Sequence, residues 1–368
     1  MSGEYKSRIQ QFMDYLEQQS LDMAIITSPV HIYFFTGYYS DPHERFLALL
    51  LDRRAEEVTL FVPSLDLESA RQASIIQEMI PVSDTENPYQ LLSQKMGRQV
   101  VKLGIEKKAV NLFQYEQLNQ CAAIGEFVDL EPFILSLRLI KSASEIESVR
   151  KAVAVVERVL AEGVKRVKPR VSELELVAEL EYQMKLFGAE RPAFETTVLT
   201  GSRSALPHGR PNQTRINQGD FLLFDLGVFV NGYCSDITRT FVIGEATKEQ
   251  QRIYETVLRA NLKAIESVQR NQEIGMLDQE ARKVIEHEGF GDYFIHRVGH
   301  GLGLEIHENP SIHQQNKLMI EPGMLFTIEP GIYIPGMGGV RIEDDIVVNA
   351  EGKAEVLTTY PKTIQYLC

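Results

Sequence analysis

The order of apolar and polar positions divides this chain into two stretches of different character. Ile9, Phe12, Met13 and Leu16 recur at helical spacing over residues 5–19, which predicts an opening helix with one packed face. Short apolar runs follow at 22–27, 46–52, 57–62 and 101–105, separated by helical patterns near 65–72 and 111–120. Strands interleaved with helices predict a smaller α/β domain over residues 1–131. The pattern breaks near 131–143, so residues 132–141 read as a connection and 142–368 as a second domain.

In the second stretch, Ser144 with Glu147 three residues later reads as a capping box, and Ile146, Val149, Val153, Val156 and Leu160 continue at helical spacing. Ser172 with Glu175 opens another helix that runs to about Phe187, where Gly188 is free to adopt the left-handed terminating conformation. Thr247 with Gln250 opens a third, its inward face made by Ile253, Val257, Ala260 and Ala264. Strand pairs alternate with these helices, which predicts an α+β domain whose curved antiparallel sheet is covered by helices. The best-defined pair is 224–240, FDLGVFVNGYCSDITRT, with Asn231-Gly232 as a tight two-residue turn between apolar runs. That turn pairs Val230 with Tyr233, Gly227 with Asp236 and Asp225 with Thr238. Asp225 and Asp236 then share a face as diagonal neighbours roughly 7–8 Å apart. Tyr233, beside the turn, is assigned no role.

Composition narrows the possible partners. A net charge of −13 over 368 residues excludes a nucleic-acid scaffold and suits an enzyme with a small neutral or cationic substrate. Cys121, Cys234 and Cys368 are odd in number and widely spaced, so they read as structural thiols of a reducing, cytoplasmic compartment. The polar N-terminus does not read as a signal sequence, and no apolar run is long enough to span a membrane. His31 and His43 read as ordinary packed or surface histidines.

Two further stretches carry candidate chemistry. Residues 299–308, GHGLGLEIHE, place two histidines among glycines that weaken a helix and let backbones approach closely, which argues against a helical HExxH zinc site. Residues 327–345, TIEPGIYIPGMGGVRIEDD, read as a second strand pair in which Glu329 and Glu343 share a face for any odd-length loop. Glu329 stands in an apolar strand, where an unpaired carboxylate is costly and a cation partner offsets the cost. Asp225, Asp236, His300, Glu329 and Glu343 together offer four carboxylates and one imidazole. Such a set suits two hard or borderline divalent ions, roughly 3.5–4 Å apart and sharing bridging carboxylates. Thr238, opposite Asp225, is placed to donate to a ligand carboxylate, and Arg341, two residues from Glu343, to hold one in position.

With these motifs the chain resembles the pita-bread-fold metallopeptidases, the family of methionine aminopeptidase, aminopeptidase P and prolidase. The resemblance rests on FDLG, SDITRT, GHG, TIEPG and RIEDD, and RSALPHG at 203–209 resembles the family segment that contributes a pocket histidine, here His208. It implies two divalent ions, manganese first with cobalt or zinc as alternatives, held by those five residues and activating a water. It further implies Glu329 as proton shuttle, His307 as hydrogen-bond donor to the substrate carbonyl and His208 as a contact for the residue after the scissile bond. The first domain resembles that of the proline-directed members, which implies an Xaa-Pro dipeptidase, with aminopeptidase P as the alternative, a small peptide substrate and a homodimer. Some prolidases carry an arginine four residues after the second histidine of GHGxGLExHE, and this chain has Ser311 there, leaving His208 or Arg341 to hold a free C-terminal carboxylate. A metal-free, peptide- or protein-binding module of the same fold is the non-enzymatic alternative.

Overall fold

Because alternating strands and helices need both sheet faces covered, the first half of the chain forms a layered unit, Met1–Arg138, distinct from Leu139–Cys368. The computed structural model describes residues 2–367, and Cys368 lies outside them. The first unit contains β1 (Met23–Ile26), β2 (Ala48–Asp52), β3 (Glu57–Pro63), β4 (Glu78–Val82), β5 (Gln99–Ile105) and β6 (Ala123–Asp129), in the sheet order β4-β3-β2-β1-β5-β6. Phe12 and Leu16 of the opening helix Ser2–Gln18 are fully buried. His31 is a satisfied core histidine: its Nδ1 pairs with Glu106 and its Nε2 accepts from Arg138 at 2.7 Å. His43 is exposed.

The second unit packs two pairs of helices on two sheets. Helices Ala143–Lys165 and Glu173–Leu186 bury Val156, Leu160, Leu176 and Leu180 against Phe224, Phe241 and their neighbours. Those aromatics come from β7 (Phe221–Leu226) and β8 (Ile237–Ile243), paired antiparallel in a four-stranded sheet. Helices Lys248–Glu266 and Gly275–His287 bury Ile253, Val257, Leu277 and Ile285 against Val298, Phe326, Ile328 and Ile346. The sheet beneath them includes β9 (Gly299–Gly301), β10 (Leu325–Ile328) and β11 (Asp344–Val348).

Two local expectations change. The cap of helix Ala143–Lys165 is Ser142 with Glu145, not Ser144 with Glu147: Glu145 N donates to Ser142 Oγ at 3.3 Å and Ser142 N to Glu145 Oε2 at 2.8 Å. Both Ser-x-x-Glu frames satisfy the pattern, and the earlier one prevails because Glu145 is also buried as acceptor for Tyr233 Oη at 2.7 Å. Tyr233 therefore ties the hairpin to this helix. Most of the expected connection is helical, over Glu131–Leu139, where Ile134 and Arg138 turn inward one helical turn apart.

Candidate metal centre

Turn chemistry sets the first strand pair. Asn231 and Gly232 take φ of +53° and +76°, the left-handed pair that a two-residue hairpin loop requires. Val230 then faces Tyr233, and the same register continues to Ile237 opposite Leu226 and Thr238 opposite Asp225. Gly227 and Asp236 fall in the gap between these two ladders. The second pair follows the same plan. Strands Gly331–Ile334 and Gly338–Arg341 join through three residues, and their register runs on into Ile328 opposite Asp344, leaving Glu329 and Glu343 at the break. Three of the acids thus stand where the ladder is interrupted and the side chains leave the sheet.

These elements bring Asp225, Asp236, His300, Glu329 and Glu343 to the wall of one cavity of about 610 Å³, along with His208 and His307. Ligand atoms of Asp236, His300 and Glu343 lie within 4.8 Å of one another. His300 Nε2 is 3.7 Å from Asp236 Oδ2 and 3.4 Å from Glu329 Oε1. Asp225 turns its carboxylate to Arg341. His307 packs its ring edge-on against His300, with centroids 4.4 Å apart.

The electrostatics of this wall favour a cation. Burial pushes the Asp236 carboxyl well above its ordinary range, and Glu343, Asp225, Asp345 and Glu329 push the same way. Burial, Glu329 and Asp225 likewise raise Glu343 against the opposing pull of Arg341. Burial, with His307 and Arg297 nearby, depresses the His300 imidazolium to about 3, so the ring is neutral. Its Nδ1 lies 3.1 Å from Gly301 O, which can only accept, so Nδ1 carries the proton and Nε2 presents a lone pair to two carboxylates. Asp236 Oδ1 is buried without a hydrogen-bond partner among the described residues. Lone pairs facing lone pairs, with an orphaned carboxylate oxygen among them, fit divalent cations with oxygen-rich coordination.

A tier of supporting contacts surrounds these donors. Thr238 Oγ1 donates to Glu343 Oε2 at 2.6 Å and accepts from Arg341 Nε at 2.9 Å. Arg341 also donates to Tyr333 Oη at 3.0 Å, so its guanidinium is engaged by Asp225, Thr238 and Tyr333. Sequence patterns did not reveal Thr327, whose Oγ1 accepts from His300 N at 3.1 Å and lies 3.4 Å from Glu329 Oε1. They also missed Asp345, which accepts from Asp236 N at 3.0 Å, and His296, bonded to Tyr333 Oη at 2.9 Å. Arg297 is the most consequential omission. It lines the cavity, donates to Ser311 Oγ at 2.8 Å and makes no direct ion pair among the described residues, although its charge pulls the Glu329 carboxyl down.

Comparison with known proteins matches this architecture. Residues 147–350 match the model of metallopeptidase family M24, and residues 8–140 that of the creatinase/prolidase N-terminal domain. The chain belongs to metallopeptidase family M24, and its second unit has the α+β pita-bread fold expected from the sequence. An uncharacterized peptidase of Staphylococcus aureus (strain bovine RF122 / ET3-1) is 42% identical over 356 residues, covering 97% of this chain and 100% of the relative. Among solved structures, the prolidase from Pyrococcus furiosus is 38% identical with a TM-score of 0.86, covering 94% of this chain and 99% of that one. The Xaa-Pro dipeptidase from Bacillus anthracis is 31% identical with a TM-score of 0.91, covering 99% and 100%. Among the described residues no helix is long and apolar enough to cross a membrane.

Proposed function

We propose that this chain hydrolyses the peptide bond before proline in dipeptides, with two divalent cations held by Asp225, Asp236, His300, Glu329 and Glu343. Manganese suits a set of four carboxylates and one imidazole, with cobalt or zinc as substitutes. Bound there, divalent cations supply Lewis acidity, which lowers the pKa of water and polarises a carbonyl.

The residues of the chain supply the rest. The Glu329 carboxylate takes the proton that water loses on attacking the scissile carbonyl and delivers it to the proline nitrogen as the C–N bond breaks. His307, its imidazolium disfavoured by burial and by Arg297 and His208, is a neutral N–H donor for the carbonyl oxygen as charge develops there. His208, exposed at the cavity wall, contacts the proline ring. The observation that carries the dipeptide reading is Arg297, a cavity guanidinium that makes no ion pair with an acid among the described residues and donates to Ser311 Oγ. A dipeptide presents a free carboxylate one residue beyond the scissile bond, and a guanidinium recognises it by paired charge-assisted hydrogen bonds. Arg297 thus takes the part expected of His208 or Arg341.

The test compares an Xaa-Pro dipeptide, its C-terminal amide and an Xaa-Pro-Yaa tripeptide, with Mn²⁺ and with chelator. Hydrolysis of the free dipeptide alone supports the reading. Cleavage of the tripeptide and amide at similar rates reassigns the chain as an aminopeptidase, and chelator-resistant cleavage removes the metal-dependent mechanism. Arg297→Met is expected to raise KM for the dipeptide about 10- to 100-fold, the value of a charged hydrogen bond. We further propose a cytoplasmic homodimer: the buried free thiols of Cys121 and Cys234 suit a reducing compartment, and sedimentation tests the oligomeric state.

A further inference from the structure

His307 occupies a segment with no helix or strand of its own, residues 302–307, and among the described residues its imidazole makes no hydrogen bond. Its position against His300 is therefore set by whatever holds that segment. The backbone supplies part: Cys234 N donates to Gly303 O at 2.8 Å and Gly303 N to Glu305 O at 3.1 Å. The rest comes from the next side chain. Glu308 Oε1 accepts from Glu305 N at 3.0 Å, and Glu308 Oε2 pairs with Lys141 Nζ at 3.1 Å. That pair is buried, with side chains 2% and 3% exposed. A Cβ on Gly303 would meet Lys141 Cε and Glu308 Oε1 at 3.1 Å each, so the segment is packed onto the pair. Lys141 is itself anchored, its N donating to Gly323 O at 2.9 Å beside the Ile140–Met324 bridge.

We infer that Lys141 is a positioning residue for hydrolysis: through Glu308 it fixes the 302–307 segment and thereby places His307 over the substrate carbonyl. A buried ion pair contributes little net stability against its desolvation cost, so its value here lies in the geometry it fixes. Lys141 Nζ holds Glu308 Oε2 one residue from His307, while Glu308 Oε1 holds the backbone of Glu305. The inference rests on the hydrolase reading of His307, so its test has one arm that needs no catalysis.

In the first arm, amide hydrogen exchange is followed in the metal-free protein. Lys141→Met and the milder Glu308→Gln are expected to accelerate exchange over 302–308 and leave β7 and β8 protected, with Lys141→Arg retaining wild-type protection. Unchanged exchange over 302–308 overturns the inference whether or not the chain hydrolyses dipeptides. In the second arm, kcat and KM for an Xaa-Pro dipeptide are measured with Mn²⁺ in the wild-type and His307→Ala backgrounds. Lys141→Met is expected to lower kcat about 10- to 100-fold with KM little changed, the range for residues that orient a functional group. In the His307→Ala background it is expected to have no further effect on kcat. An equal fall in both backgrounds means that Lys141 acts independently of His307, which also overturns the inference. Wild-type protein that cleaves no Xaa-Pro dipeptide removes the function instead, and the exchange arm still decides the anchoring.

Discussion

Glu343, Asp344 and Asp345 are consecutive and buried, yet the molecule treats Asp344 and its two neighbours in opposite ways. Asp344 faces cations and donors: Arg239 Nη2 at 2.9 Å, Lys362 Nζ at 2.9 Å, Asn261 Nδ2 at 3.0 Å and Thr358 Oγ1 at 2.7 Å. Burial pushes its carboxyl up, but Arg239 and Lys362 outweigh burial and hold it below the ordinary range. Glu343 and Asp345 project to the other side and are pushed up, both chiefly by burial, with Glu329 and Asp225 adding to the rise at Glu343 and Asp344 and Glu157 at Asp345. Alternation along an extended chain produces this division, since successive side chains leave opposite faces. On one face the fold supplies its own cations and the acid is structural. On the other, Arg341 braces Asp225, yet Asp236, Glu329 and Glu343 stay raised, an imbalance that an external cation would offset.

The largest effect expected from this contrast is at Asp236. Asp236→Asn is predicted to reduce Mn²⁺-dependent hydrolysis by more than the roughly 10- to 100-fold typical of an outer supporting group. In chelator the same variant should be at least as stable as wild type. A carboxyl whose folded pKa is raised costs stability once pH exceeds its unfolded pKa, and that cost is full above the folded value; the amide removes it. Melting curves at neutral pH in chelator check this. A markedly lower Tm would place Asp236 with Asp344 as a structural acid.

On the paired face, Asp344→Ala leaves Arg239 and Lys362 without their buried partner. Arg239 is 1% and Asp344 0% exposed, so the loss is expected to be about 3–5 kcal/mol in chemical denaturation, the range for breaking a buried ion pair. The sign with pH is opposite to that of Asp236. Asp344 has a lowered carboxyl pKa, so its contribution is present above the unfolded pKa and disappears as pH falls through the folded one. The stability gap between wild type and Asp344→Ala should therefore narrow in acid.

How much of this was legible in the sequence follows from the kind of signal each residue leaves. The hairpin register at Asp225 and Thr238 was readable because Asn231-Gly232 permits few turns, and the shared face of Glu329 and Glu343 needed only an odd-length loop. Helix Pro29–Thr36 was not readable, because PVHIYFFT is apolar almost throughout and shows no helical period. The supporting contacts were also hidden. Thr327 and Asp345 are ordinary strand residues until the fold brings β10 beside β9 and β11, and the Tyr333–His296 bond joins positions 37 residues apart. Arg297 had a weak signal, a cation three residues before His300 with no acid within four residues on either side. Its place on the cavity wall, without a direct ion pair among the described residues, is visible only in the fold.

The smallest effects give the sharpest form of the comparison, because one chemical change can be made on each face. Thr238 and Thr358 are both buried, and each donates its hydroxyl to one of the neighbouring acids, Glu343 at 2.6 Å and Asp344 at 2.7 Å. Valine in place of threonine keeps the shape and removes the donor. At Thr358 the acid retains Arg239, Lys362 and Asn261, so Thr358→Val is expected to cost about 1 kcal/mol of stability and leave kcat and metal affinity unchanged. At Thr238 the hydroxyl also accepts from Arg341, which holds Asp225, so Thr238→Val releases both acids from their shared brace. Metal affinity or kcat is expected to fall about 10-fold or more, with a stability change no larger than at Thr358. Metal titration by calorimetry and denaturant melts on both variants provide the check. If Thr358→Val weakened metal binding as much as Thr238→Val, the two faces would be one coupled network and their division of labour would be wrong.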